Sequence, residues 1–317
     1  MAVGDIYLAD QNKNCIYKVN AGGTVIAATI TGIGNPYDMC TDYQGNVFAL
    51  DYRASSGFVY KVDTGSIVIS NTIPFGSLLL LMCSDPFDNI YIYSRGDSKI
   101  YKISAGTIIA TAFITVTGVI KGMCSDSSGN IYYTVESNGT NSYIYKIAAG
   151  TNSAVIFVTI AGGNSPGAIH ADPFDNIYLI YGSSGAYKIA AGSTPLIPIT
   201  GLGANCLYIC SDPFGNIYIA NENTNSKVYK INAGTTFVVA EITTSTYISA
   251  IGSDYLGNIF VSAISSTTDY IYKINAGTTT ANSLFGVSGG RISRIVLIPT
   301  PHDNQQHKPP QCMMGGM

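Results

Sequence analysis

The sequence predicts an all-β fold, a seven-bladed β-propeller of four-stranded antiparallel blades. Three observations carry that prediction: a short motif recurring seven times at a near-constant period, one fixed order of strands and turns inside every copy, and chain ends that each supply the part of a blade the other lacks.

The motif is Tyr-Lys followed by Ile or Val. Its tyrosines are Tyr17, Tyr60, Tyr101, Tyr145, Tyr187, Tyr229 and Tyr272, spaced by 43, 41, 44, 42, 42 and 43 residues. A steady period in this range marks repeats that bury their apolar faces only by stacking on one another. Within each copy a short apolar strand ends in Asp, as in Met39-Cys40-Thr41-Asp42 and Ile209-Cys210-Ser211-Asp212. A tight turn follows, Asp-Pro-Phe-Asp-Asn at 85–89 and 172–176 and Asp-Pro-Phe-Gly-Asn at 212–216. Asp can bond back to the backbone, Pro presets φ, and Gly, Asp or Asn accepts left-handed geometry. Second strands are expected to start at Asp5, Asn46, Asn89, Asn130, Asn176, Asn216 and Asn258. The Tyr-Lys strand comes third. A glycine (Gly22, Gly65, Gly106, Gly150, Gly192, Gly234, Gly277) then opens a second hairpin into a Thr- and Val-rich fourth strand.

The first two strands of each copy are apolar at nearly every position, so both faces of each sheet must be buried. Blades packed radially between neighbours meet that demand. The chain begins at a second strand, and segment 291–299 reads as an extra first strand with nothing after it. Pairing the two completes one blade and leaves no open seam. Residues 1–299 are therefore expected to form the propeller, and 300–317, rich in Pro, Gln, His and Met, a flexible tail.

Composition excludes several functions. Only 11% of residues are charged, with 16 Lys plus Arg against 19 acids and a net charge of −3, and no basic run is present. That argues against nucleic-acid binding. No apolar stretch is long enough for a transmembrane helix, and no signal peptide is visible at the N-terminus. Seven cysteines, an odd number, fit a disulfide framework poorly and point to a reducing compartment, cytoplasmic or virion-associated. The sequon Asn138-Gly139-Thr140 is near chance expectation.

The string Gly215-Asn-Ile-Tyr-Ile-Ala-Asn221, with its cousins at 4–10 and 45–51 and the following Ile-Tyr-Lys-Ile, resembles the NHL-repeat family over residues 4–299. The resemblance implies a propeller related to the streptogramin lyases and the gluconolactonase group, as well as to non-catalytic binding modules. The lyases use a His with nearby Glu as ligands for a divalent metal. This chain has His170, His302 and His307, and Glu136, Glu222 and Glu241, with no His-x-Glu pair. The lactonase type needs carboxylates and Asn converging on the channel. Asp38 is the one acid immediately before a first strand, and no blade offers it an obvious partner.

Two rings of repeated residues read as fold maintenance. Cys40, Cys83, Cys124, His170 and Cys210, with Gly252, stand two positions before the repeat Asp and are expected to pack as small buried groups. The Tyr-Lys lysines are expected to be solvated or Asp-paired edge charges. His302, His307 and Cys312 in the tail could ligate a soft metal, but the tail reads more naturally as a tether.

Function is expected where the repeats break their own rule, on the face shared by the inter-blade connections and the loops between second and third strands. There stand Tyr37, Asp38, Lys121, Asn164, Asn205, Tyr208, Tyr247, Arg291 and Arg294. All except Asn164 are the candidate binding residues. No catalytic residue, metal ligand or cofactor site is assigned. The sequence thus favours a non-catalytic interaction or structural propeller whose partner is another protein or a component of a large particle such as a virion. A small-molecule ligand at the channel mouth is compatible with it. The competing class is a metal-assisted lyase or lactonase acting at that mouth.

Overall fold

The computed structural model describes residues 4–52, 56–136, 141–162, 164–182, 185–222, 226–244, 247–298 and 313–314. The sequon, His302, His307 and Cys312 lie outside them, as does the tail apart from Met313 and Met314. Among the described residues the chain forms seven antiparallel sheets and no helix.

The inner strands are Pro36–Thr41, Leu79–Ser84, Val119–Ser125, Pro166–Ala171, Cys206–Ser211, Tyr247–Ser253 and Ile292–Leu297. The last of these closes the ring. It pairs with Ile6–Asp10 in the register Ile6↔Leu297, Tyr7↔Val296 and Leu8↔Ile295, and so serves as the inner strand of the first blade. Ile292, Ile295, Val296, Leu297 and Ile298 are all buried. The short pair Met313–Met314 adds to the free edge of the inner strand Cys206–Ser211, opposite Tyr208 and Ile209.

Second strands begin one residue later than expected, at Ile6, Val47, Ile90, Ile131, Ile177, Ile217 and Ile259. The reason is that the Asn before each is a turn anchor instead of a ladder residue. In the sixth blade Asp212 Oδ1 accepts the N–H groups of Phe214 and Asn216 at 2.9 Å, and Oδ2 accepts Asn216 Nδ2 at 2.7 Å and the Tyr218 hydroxyl at 3.3 Å. Asn216 Oδ1 in turn accepts the Ala233 N–H of the next hairpin at 3.0 Å. The same wiring recurs from Asp42, Asp85, Asp126, Asp172 and Asp254 to Asn46, Asn89, Asn130, Asn176 and Asn258. In the first blade Asp5 takes the Asn role toward Ala21 N–H and also pairs with Lys18 at 2.9 Å.

Five of the joints between neighbouring blades at these turns are of two kinds. Where the turn reads Pro-Phe, the ring covers a left-handed glycine of the next blade: Phe87 over Gly129, Phe174 over Gly215 and Phe214 over Gly257. A Cβ on Gly129 would stand 2.7 Å from the Phe87 ring. In two joints the turn has a free N–H instead of Pro and the next blade presents an Asp at the glycine position, whereas Tyr255 of the seventh blade, also with a free N–H, packs its ring against Gly4 of the first. Tyr43 N–H donates to Asp88 Oδ1, and Ser127 N–H to Asp175 Oδ1, both at 2.7 Å. Asp88 and Asp175 carry φ of +64° and +63°, the geometry glycine adopts elsewhere in the ring.

Closer to the axis, hydroxyls before the repeat Asp donate to the preceding inner strand. Ser84 reaches Thr41 O at 2.7 Å, Ser125 reaches Ser84 O at 2.8 Å, and Ser253 reaches Ser211 O at 2.6 Å. Burial falls outward. Every residue of the second strands of blades one, two, three, five and six is buried, whereas the fourth strands alternate and expose much of their surface. In the fifth blade the fourth strand shrinks to Ile197–Pro198, because proline cannot donate to a ladder.

Candidate functional site

The inner strands run from the face of the inter-blade connections toward the face of the Asp turns, so the second-to-third strand loops share the connection face. On that face a cavity of about 350 Å³ opens between blades one to four. Tyr37, Lys121 and Arg291 line it together. Sequence reasoning missed the rest of its polar wall: Gln11, Asn35, Tyr52 and Arg95. A signal was available. Gln11, Tyr52 and Arg95 each follow directly on a second strand, so they occupy one repeat position with three different side chains. Leu80 and Leu81, with Val119 and Ile120, supply an apolar floor.

Backbone pairing holds this wall in place. Gln11 N–H donates to Arg291 O at 3.0 Å, and Arg291 N–H to Asp10 Oδ1 at 3.0 Å. Tyr52 N–H donates to Asn35 O at 2.9 Å, and the rings of Tyr37 and Tyr52 lie 5.0 Å apart, tilted by 31°. Lys121 pairs with Glu136 at 3.2 Å. Arg95 and Arg291 are exposed, and neither forms an ion pair with a described residue. Burial pushes the Tyr37 hydroxyl above its ordinary range, Asp38 and Tyr52 add to this, and Arg291 opposes it.

Asp38 and Arg294 also meet, but inside the wall. The expectation that Asp38 lacks a partner is corrected: Arg294 Nε stands 3.0 Å from its Oδ1, and both side chains are buried. Asp38 Oδ1 also accepts Met39 N–H at 2.9 Å, and Oδ2 accepts Met82 N–H of the third blade at 2.8 Å. Burial pushes the Asp38 carboxyl up, while Arg294 and the two amides pull it down. This pair ties three inner strands together. Removing one partner of such a buried pair typically costs about 3–5 kcal/mol.

Asn205, Tyr208 and Tyr247 belong to blades six and seven and do not line the cavity. Asn205 is exposed at φ +58°, just ahead of its inner strand. Tyr208 is buried, which raises its hydroxyl, and Tyr247 is exposed at the start of the inner strand Tyr247–Ser253. Asn164 is exposed in the connection into blade five, where its carbonyl accepts the Ser142 hydroxyl at 3.1 Å.

The two repeated rings are engaged within the fold. Cys40, Cys83, Cys124 and Cys210 are buried free thiols, and burial holds the first two well above the ordinary thiol range. His170 is buried with Nε2 2.9 Å from Ser211 Oγ. The lysines do something the sequence reading did not anticipate. Each sits opposite an aromatic residue of the second strand, so Lys102 lies 5.5 Å from the Tyr91 ring centroid, Lys146 5.4 Å from Tyr132, and Lys273 5.7 Å from Phe260. These are cation–π pairs across the ladder. Lys18 and Lys61 also show the expected pairing with Asp, to Asp5 and Asp63. Among the described residues no group of three or more His, Cys, Asp or Glu side chains could hold a metal ion, and no helix is long and apolar enough to cross a membrane.

No family model matches the sequence, and no curated protein does. Solved structures match as folds. A streptogramin B lyase is similar at 16% identity and a TM-score of 0.62, over 88% of this chain and 87% of that one. A putative 6-phosphogluconolactonase from Bacteroides uniformis is similar at 12% identity and a TM-score of 0.71, over 93% and 99%. A protein of unknown function from Desulfotomaculum acetoxidans is similar at 14% and 0.70, over the same shares. At these identities the likeness is one of fold alone, the β-propeller.

Proposed function

We propose that this chain is a non-catalytic binding propeller that takes its ligand or partner at the channel mouth. One observation carries the reading. The repeated polar groups (turn Asp and Asn, inner thiols, Tyr-Lys lysines) are engaged inside the fold, whereas Arg95 and Arg291 stand in a cavity with no ion-pair partner among the described residues. Binding residues on loops carried by a rigid scaffold are the usual arrangement. The competing metal-assisted lyase or lactonase needs a donor set, and Asp38, its best candidate, is held by Arg294.

The test is hydrogen exchange of the full chain, alone and with the fraction of its native source that it retains. Protection over 34–37, 52, 95, 119–121 and 291 supports the reading. Protection confined to the outer strands refutes it, and metal-dependent turnover of a cyclic depsipeptide or lactone would favour the enzyme.

A second reading, a structural part of a large particle such as a virion, is favoured by a separate feature. Val25, Ile67, Val68, Ile108, Ile109 and Phe237 are exposed just past the third-to-fourth strand turns of four blades, forming an apolar rim on a chain with only 11% charged residues. Apolar surface repeated in this way marks interaction sites. Lysine at Ile67 and Ile109 should abolish assembly, read as mass by light scattering, and leave the melt unchanged.

A further inference from the structure

The mouth cavity also specifies a chemistry, and the inference rests on the binding reading above. Among the described residues three cations line it and no carboxylate does, in a chain whose net charge is −3. Lys121 is answered by Glu136, so the charge without an ion-pair partner among the described residues lies on Arg95 and Arg291. Guanidinium groups suit carboxylate and phosphate oxygens through paired N–H donors. The remaining wall is flat and apolar: the Tyr37–Tyr52 pair and the aliphatic floor. A volume of about 350 Å³ is of small-molecule size.

We propose that the cavity binds a small organic anion, a carboxylate or phosphate ester on a planar or apolar body. Arg95 and Arg291 take the charged end, and Tyr37 and Tyr52 pack on the body. Arg291 begins the closing segment and Gln11 belongs to the first blade, so the cavity exists only when the ring is shut. A ligand there stabilises the closed ring, because it binds the folded chain and not the opened one.

The experiment uses the full chain with phenyl phosphate, phenylacetate, inorganic phosphate, benzyl alcohol and benzylamine. Calorimetry measures affinity and a thermal melt measures linkage. Saturable binding is expected for phenyl phosphate or phenylacetate, with a raised melt, weaker binding at high salt, and little or no binding of benzyl alcohol or benzylamine. Which of the two anions binds better separates the phosphate from the carboxylate source. Binding of inorganic phosphate as tight as that of phenyl phosphate overturns the role of the tyrosines. Arg95→Gln should weaken the anion roughly tenfold or more, the scale of one charge-assisted hydrogen bond. Arg95 is exposed and away from the seam, so this variant keeps the test valid even if Arg291→Gln fails to fold. Equal binding of benzyl alcohol, or anion binding indifferent to Arg95→Gln, overturns the proposal. If no anion binds at millimolar concentration while exchange protection by a partner still maps to the mouth, this inference fails and the binding reading stands. If both are negative, both fail.

Discussion

The two faces of the ring are built from the same strands yet obey opposite rules. On the turn face, six blades repeat one Asp–Asn circuit almost atom for atom, and its donors and acceptors answer each other. On the mouth face, one repeat position holds Gln11, Tyr52 and Arg95 in consecutive blades, and the arginine has no ion partner among the described residues. Uniformity marks the end that holds the fold together. Irregularity marks the end where the proposed binding site lies.

The harshest way to break this comparison is to open the ring, which should destroy both faces together. Closing residues Ile292, Ile295, Val296, Leu297 and Ile298 are buried. At roughly 1.5–3 kcal/mol each they sum to about 8–15 kcal/mol as an upper estimate. That rivals the whole stability of an ordinary domain, about 5–15 kcal/mol. Truncation after Gly290 should leave an unfolded or aggregating chain, and truncation after Pro301 should shift the thermal melt little.

Sharper is a single change on each face. Asp212→Ala strips the acceptor from three N–H donors and a tyrosine hydroxyl. Orphaning such groups should cost about 3 kcal/mol in urea unfolding. Tyr52→Ala, at the mouth, should stay within about 1 kcal/mol of the native chain, as surface changes usually do. Equal losses would erase the distinction.

The turn face can also be rewired. Gly129→Asp forces a Cβ against the Phe87 ring and should cost about 1–3 kcal/mol. Adding Pro86→Ser and Phe87→Ser restores an N–H donor and removes the ring, reproducing the Ser127–Asp175 joint. The combined variant should recover most of the loss in a double-mutant cycle.

The smallest effect lies at the seam near the mouth. Asp269 is buried beside Asp10 and accepts the Ile292 N–H that starts the closing strand. Burial raises its carboxyl from 3.8 to about 7. A raised folded pKa means the folded chain holds the proton more tightly. The stability this lends is complete below the unfolded value and is lost as pH climbs toward and through 7. Stability should therefore fall by about 1 kcal/mol between pH 6 and 8. Asp269→Asn should flatten that slope, and an unchanged slope would assign it to other groups.

The ring, the strand order and the closing segment were legible because they rest on periodic apolar residues and turn chemistry, which local sequence encodes. The candidate residues were legible only as a face. Tyr37, Lys121 and Arg291 converge because three separate blades point at one corner of the mouth, and Asn205 and Tyr247 stand across it. No spacing rule distinguishes those cases. Asp38–Arg294 joins residues 256 positions apart in sequence through the closure itself, so it appears only once the seam is built. The lysine–aromatic pairs were missed for a different reason: the third-strand Lys and the second-strand ring are in register, and register was not used to pair them.

The two kinds of joint on the turn face amount to an address system for blades. A blade whose turn reads Pro-Phe accepts only a follower with glycine, and an Asp follower stands only behind a blade offering a free N–H, as at Tyr43–Asp88 and Ser127–Asp175. A duplicate of the sixth blade could be inserted directly after itself, since Phe214 would meet a copy of Gly215. A duplicate of the fifth could not stand there, since Phe214 would collide with Asp175 and Pro213 would offer it no donor. The order of near-identical repeats is thereby written into their contacts, which protects a chain of similar parts from folding in the wrong sequence.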